Sequence, residues 1–152
     1  MALNQDFNLP RLERCLALTW ESGAQPVVTF TKSDLRENLD EKLALAAPVT
    51  LGVETLVISS IKGDTWKYVR ELIRPGMTAA MIGSSGTGKS TLLNRLLGGE
   101  AIRTNGLRSD GKGRHTTTRR ELYRLPDGGL IVDTPGMREF GMWDSSEGID
   151  RR

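Results

Sequence analysis

Apolar positions along this chain follow two rhythms, and their alternation sets out the architecture. Leu9, Leu12, Leu16 and Trp20 recur at helical spacing, predicting a helix over Leu9–Glu21 with these four on its buried face. Asn8 can cap it, Pro10 falls in its first turn, and Ser22-Gly23 can end it. Val27 to Phe30, after Pro26, reads as a short buried strand. A second helix is expected up to Ala47, stopped by Pro48, and Thr55 to Ile58 forms the next strand. Asp64 or Thr65 can cap a third helix with Trp66, Val69 and Ile73 on one face, ended by Pro75-Gly76. A strand from Thr78 to Ile82 and a helical pattern from Thr91 to Leu97 follow. The stretch Gly98 to Thr118 is weakly periodic. Leu122 to Leu125 and Leu130 to Val132 then read as a hairpin turned on Pro126-Asp127-Gly128-Gly129. Strands and helices alternating over short links predict an α/β fold with a mostly parallel sheet.

Length and composition narrow the picture. The chain has 152 residues, which suits one compact domain. With 38% hydrophobic and 26% charged residues it carries no disorder bias. The net charge of +2 does not by itself mark a nucleic-acid binder. Its distribution says more. Arg103, Arg108, Lys112, Arg114, Arg119, Arg120 and Arg124 stand against only Asp110 and Glu121 between Ile102 and Leu125. Such a local basic stretch points to a polyanionic partner at that face. Cys15 is the single cysteine, which excludes a disulfide framework or a cysteine-built zinc site. No apolar run reaches the ~20 residues of a membrane span. A cytoplasmic protein with no membrane partner is expected, and a monomer.

The chemistry centres on Gly83-Ser84-Ser85-Gly86-Thr87-Gly88-Lys89-Ser90, which matches G-x-x-x-x-G-K-[ST] between a predicted strand and a helix, with Thr91 next. In that context successive backbone N–H groups and the positive helix end wrap a phosphate chain. Lys89 would reach the β- and γ-phosphates, and the Ser90 hydroxyl would bind Mg²⁺. Asp133-Thr134-Pro135-Gly136 follows the Leu130 strand. Asp133 is placed to hold Mg²⁺, and the N–H of Gly136 can sense a γ-phosphate.

Upstream of the phosphate loop, Thr31-Lys32-Ser33-Asp34 follows the Val27 strand. A carboxylate at Asp34 can accept two hydrogen bonds from the N1 and N2 donors of guanine, a pair adenine lacks. The Lys32 stem can lie along the base. Thr31 stands where the usual residue is Asn, keeping a hydrogen-bonding side chain without the amide. Ser59-Ser60, after the Thr55 strand, resembles the Ser-Ala pair whose backbone contacts the guanine carbonyl. Between the phosphate loop and Asp133, Gly113-Arg114-His115-Thr116-Thr117-Thr118 should supply a switch threonine for Mg²⁺. Thr117 is favoured among its neighbours Thr116 and Thr118. Met137 occupies the position after Gly136, where GTP hydrolases often carry a water-orienting Gln, and cannot do that work. His115, the one histidine, is the available imidazole for that role.

The order T-K-x-D, Ser-Ser, G-x-x-x-x-G-K-S, G-R-H-T-T-T, D-T-P-G-M-R-E-F resembles the circularly permuted bacterial ribosome small-subunit-dependent GTPase A family. Asp6-Phe7-Asn8-Leu9 with Leu12-Glu13-Arg14 is also similar. The resemblance covers nearly the whole chain. It implies a three-layer P-loop NTPase fold in the form of a circularly permuted small GTPase domain over residues 1–144, with a polar tail over 145–152. It implies a hydrolase of GTP to GDP, with Mg²⁺, stimulated by the 30S subunit during its maturation and contacting 16S rRNA. Lys89, His115 and Thr117 are then the catalytic residues. Three departures accompany it: the family's OB-type barrel and its zinc domain are not in this sequence, so no zinc is expected, and one core strand, which would precede Ala2, is missing. An ATP-driven P-loop ATPase or kinase, and a nucleotide-binding RNA-interaction module without turnover, are the competing readings. Asp34 has no evident job in the first of these.

Overall fold

The computed structural model describes residues 1–3, 7–34, 38–99 and 120–134. The elements run α1 (Leu9–Glu21), β1 (Val27–Phe30), α2 (Leu39–Ala46), β2 (Glu54–Val57), α3 (Lys67–Leu72), β3 (Thr78–Met81), α4 (Lys89–Leu97), β4 (Glu121–Arg124) and β5 (Leu130–Asp133). This is an α/β fold with mostly parallel strand pairing, as the alternation of patterns predicts.

The strands form two sheets. In one, β1 and β2 are parallel, with Val27 opposite Glu54 and Phe30 opposite Val57. In the other, β5 is central, parallel to β3 and antiparallel to β4. The β4–β5 pair is the hairpin read from Pro126 to Gly129. Its turn closes through the N–H of Leu125 to the carbonyl of Gly129 at 2.8 Å and the N–H of Gly128 to the carbonyl of Leu125 at 3.0 Å. The edge of β1 that β2 does not use carries a parallel bridge between Ala2 and Thr31. There the N–H of Thr31 donates to Met1 and the N–H of Leu3 to Thr31, at 2.9 and 3.0 Å.

Two apolar clusters hold these layers. Leu3, Leu16, Val28, Phe30 and Ala46 join α1, β1 and α2. Ile58, Ile73, Leu92, Leu93, Leu96, Leu125 and Ile131 join the segments around β2, α3, α4 and the hairpin. β2 is the shared wall: Val57 packs on the first cluster, while Leu56 and Ile58 on the opposite face pack on the second. Leu92, Leu93 and Leu96 bury one side of α4, which fixes the helix that starts at the phosphate loop. Leu93 and Leu96 are fully buried, each contributing on the order of 2 kcal/mol.

Local signals explain most boundaries. Asn8 caps α1 by accepting from the N–H of Arg11 at 2.9 Å, with Pro10 in the first turn. α2 ends at Ala46, before Pro48. Two expectations need correcting. Trp20 is 55% exposed rather than on the buried stripe, because the last turn of α1 runs beyond the cluster that Leu16 enters. α3 has no side-chain cap and starts at Lys67, because the Thr65 hydroxyl is engaged elsewhere. Its packing face is as expected, with Trp66 and Val69 against the cluster containing Ile73.

Candidate functional site

The loops that follow β1, β2, β3 and β5 leave the carboxyl ends of parallel strands, where open α/β sheets bind their ligands. On one side stand Thr31–Asp34 and Ser59–Lys62. The Ser59 hydroxyl donates to Asp34 Oδ1 at 2.8 Å and accepts from the N–H groups of Ile61 and Lys62 at 3.3 and 3.0 Å. The N–H of Ser59 is taken by Thr65 Oγ1 at 3.0 Å. The N–H of Ser33 donates to Ile58 at 3.2 Å, tying the two loops through their backbones. The structure thus brings Asp34 and Ser59 together, as the sequence suggests. Asp34 does not cap α2, whose N-cap is Asn38. Lys32 adopts a left-handed φ of 63°, a conformation that costs a lysine about 1 kcal/mol and clusters at functional sites.

On the other side the phosphate loop runs from β3 into α4. Gly88 takes φ 91°, which admits glycine without strain, and being the N-cap it leaves the first-turn N–H groups of α4 without a side-chain partner. Those groups and the helix dipole suit an anion. Lys89 folds back over the loop, donating to the carbonyls of Gly83 and Ser84 at 2.6 and 3.0 Å. An ammonium has three donors, so one remains for a ligand. A Cβ at Gly83 would lie 3.1 Å from Thr87 Oγ1 and 3.7 Å from Lys89 Cδ, so glycine there keeps room for the lysine stem. Thr87 Oγ1 donates to Ser84 at 2.8 Å and shapes the same turn.

Asp133 ends β5 opposite Met81, two residues before the loop begins. It is 7% exposed, and its Oδ1 is buried without a hydrogen-bond partner. Burial pushes its carboxyl above the usual range, with the Lys89 charge pulling it back down. Burial likewise lowers the Lys89 ammonium, with the Asp133 charge opposing. Thr134 Oγ1 donates to Met81 at 2.6 Å and straps the ends of β5 and β3 together. An orphaned buried carboxylate oxygen is the donor chemistry a hard divalent cation takes, and Ser90 follows Lys89 in the first turn of α4. Among the described residues no cluster of three metal-ligating side chains occurs. Mg²⁺ needs none, since one or two carboxylates with ligand phosphates suffice for it.

The two sides meet at a buried hydrogen bond: Thr31 Oγ1 donates to the carbonyl of Thr87 at 2.6 Å. The threonine in place of the usual asparagine still reaches the phosphate loop. Sequence reasoning missed two residues. Thr65, read as a cap, positions Ser59. Arg95, which reads as an ordinary basic residue near a helix end, donates from Nε to Ser60 and from Nη2 to Ile61 at 3.1 and 3.3 Å. Thr65 carries a cap-like signal but bonds the loop six residues before it, and no local pattern announces Arg95, whose loop lies about 35 residues upstream. His115, Thr116, Thr117, Thr118, Gly136 and Met137 lie outside the described residues, as does the basic stretch from Arg103 to Arg119. Arg120 and Arg124 are described and exposed. No helix among the described residues is long and apolar enough to cross a membrane.

Comparison with known proteins agrees with this geometry. The RsgA GTPase family model matches residues 1–143. The small ribosomal subunit biogenesis GTPase RsgA 2 of Lactiplantibacillus plantarum is 50% identical over 141 residues, covering 92% of this chain and 40% of that protein. The protein of the same name from Listeria monocytogenes is 41% identical over 151 residues, covering 99% and 44%. The small ribosomal subunit biogenesis GTPase RsgA of Streptomyces avermitilis is 44% identical over 158 residues, covering 99% and 42%. Among solved structures, YjeQ from Thermotoga maritima superposes with a TM-score of 0.67 at 25% identity, over 90% of this chain and 45% of that one. The chain spans less than half the length of the curated relatives it matches.

Proposed function

Because the chain belongs to the RsgA GTPase family, we propose that it binds guanine nucleotides and hydrolyses GTP to GDP and phosphate, serving maturation of the small ribosomal subunit. One observation carries the reading: a carboxylate suited to guanine and a lysine-bearing phosphate loop abut through the Thr31–Thr87 bond. Asp34, oriented by Ser59, accepts the N1 and N2 donors of the base. The loop amides from Gly83 to Ser90 and the start of α4 hold the phosphates. Lys89, fixed by two loop carbonyls, presents its remaining N–H to the β- and γ-phosphates. Ser90 and Asp133 would hold Mg²⁺, joined by Thr117. The ion supplies neutralisation of charge on the phosphate oxygens when bound.

His115 orients the attacking water in place of a glutamine, and Gly136 senses the γ-phosphate. With Met137 unable to hold that water, turnover is slow alone and rises on the 30S subunit. The basic stretch from Arg103 to Arg124 faces 16S rRNA phosphates there. The chain order, base loop before phosphate loop, is that of a circularly permuted GTPase domain. One further strand, parallel to β1, would fill the edge where Ala2 bridges Thr31. Single-turnover hydrolysis of GTP with and without purified 30S subunits tests the reading. A rise of orders of magnitude in the intact protein, most of which His115→Ala removes, is expected. Absence of any hydrolysis under both conditions would leave a binding module instead.

A further inference from the structure

We infer that Arg95 is a positioning residue for base recognition, a clamp that fixes the backbone of Ser60 and Ile61 and keeps the N–H of Ser60 as the donor for the 6-carbonyl of the base. The inference rests on the guanine-nucleotide reading above and adds to it a residue on the phosphate-binding helix.

Within the loop, the backbone donors are almost all assigned. The N–H of Ser59 goes to Thr65 Oγ1, and those of Ile61 and Lys62 go to Ser59 Oγ. The N–H of Ser60 alone in this stretch has no partner among the described residues, although Ser60 is 7% exposed. The Ser60 hydroxyl is likewise buried without a partner, so this residue leaves polar groups for a guest to take. The carbonyls of the two peptides that carry the Ile61 and Lys62 N–H groups, which follow Ser60 directly, are held from the other side. Arg95 Nε takes the carbonyl of Ser60 at 3.1 Å and Nη2 the carbonyl of Ile61 at 3.3 Å. A planar guanidinium holds two consecutive carbonyls in a fixed relation, which a point-charge ammonium cannot.

The placement has a consequence for affinity. Arg95 stands on α4, the helix whose first residue is Lys89. One rigid element, anchored by Leu92, Leu93 and Leu96, therefore sets both where the phosphates bind and where the base-carbonyl donor sits. The same loop holds Asp34 through Ser59, so the carboxylate and the free N–H can read adjacent groups on one edge of guanine. Arg95 itself is exposed, so its truncation leaves the apolar cluster intact.

The test uses the 152-residue chain and three probes: GDP, inosine diphosphate, which lacks the 2-amino group, and 2-aminopurine riboside diphosphate, which lacks the 6-carbonyl and the N1 hydrogen but keeps the 2-amino group, so that its affinity is insensitive to the Ser60 N–H in both chains compared. Arg95→Ala should weaken GDP about tenfold. Its preference for GDP over the 2-aminopurine nucleotide should shrink by the same factor, while the preference over inosine diphosphate is retained. Arg95→Lys should fall between, since an ammonium restores one bond of the two. Unchanged GDP binding, or equal weakening of all three nucleotides, overturns the inference. A wild-type chain that binds none of them contradicts the proposed function instead. The clamp is then read by amide hydrogen exchange at Ile61 and Lys62. Protection there should fall about tenfold in Arg95→Ala, and unchanged protection overturns it.

Discussion

On the base side of the site, the N–H and hydroxyl of Ser59 are committed to Thr65, Asp34, Ile61 and Lys62. On the phosphate side, Asp133 Oδ1 is buried with no partner, and Lys89 and Asp133 each carry a charge that burial opposes. The difference separates two jobs. On the proposed reading the base side is preformed by hydrogen bonds within the protein, so it would select by shape and donor pattern without rearranging. In the proposed phosphate pocket Asp133 Oδ1 is unpartnered and one of the three Lys89 donors is left over, so a ligand carrying phosphates and a cation would satisfy both. The proposed function therefore assigns specificity to the first region and most of the affinity to the second.

The largest break in that comparison should come from Lys89→Ala. It removes a charged donor from a partly desolvated loop, and nucleotide affinity should fall at least ~100-fold, measured by titration calorimetry. Base preference, read as the ratio of GDP to ADP affinity, should survive the loss. Asp34→Asn should act the opposite way. Guanine affinity should fall roughly 30-fold, by about 2 kcal/mol, while xanthine nucleotides gain, and phosphate-dependent binding persists. If both variants lose base preference equally, the division between the two regions fails.

Thr31→Val probes their junction. It leaves the Thr87 carbonyl buried and unpaired, which should cost about 1–2 kcal/mol in chemical denaturation and roughly tenfold in GDP affinity. Asp133→Asn gives the smallest effect, and its sign is the informative part. The folded-state pKa of Asp133 is raised, so its contribution to stability is fully present below the ordinary value of 3.8 and lost as pH rises through the folded value. At pH 7 the carboxylate therefore weakens the nucleotide-free fold, and Asp133→Asn should raise its Tm by a few degrees while abolishing any Mg²⁺ dependence of binding. A lower Tm would contradict the stored-charge account.

Much of this was legible in residue order. α1 was readable from Asn8, Pro10 and its apolar spacing, and the hairpin from Pro126 to Gly129, because these signals are local. That Asp34 and Ser59 stand on one side of the site was readable from two loops placed after two strands; the hydrogen bond between their side chains was not. What was not legible depends on tertiary reach. The Thr31 hydroxyl finds a carbonyl 56 residues away, and Arg95 finds a loop about 35 residues upstream. Trp20 continues a helical stripe in sequence but passes the end of the core that would bury it. Thr65 offers a capping side chain that a neighbouring loop claims first. Local patterns specify which elements form; only packing decides which polar side chains are left over to join them.

The central claim is a guanine-specific phosphate-binding site, and displacement tests it most directly. GDP bound to the purified chain should be displaced by GTP at comparable concentration and not by ATP at a thousandfold excess, an amount set by the roughly 10⁴-fold discrimination that paired buried hydrogen bonds supply. Displacement by ATP as effective as by GTP would contradict it.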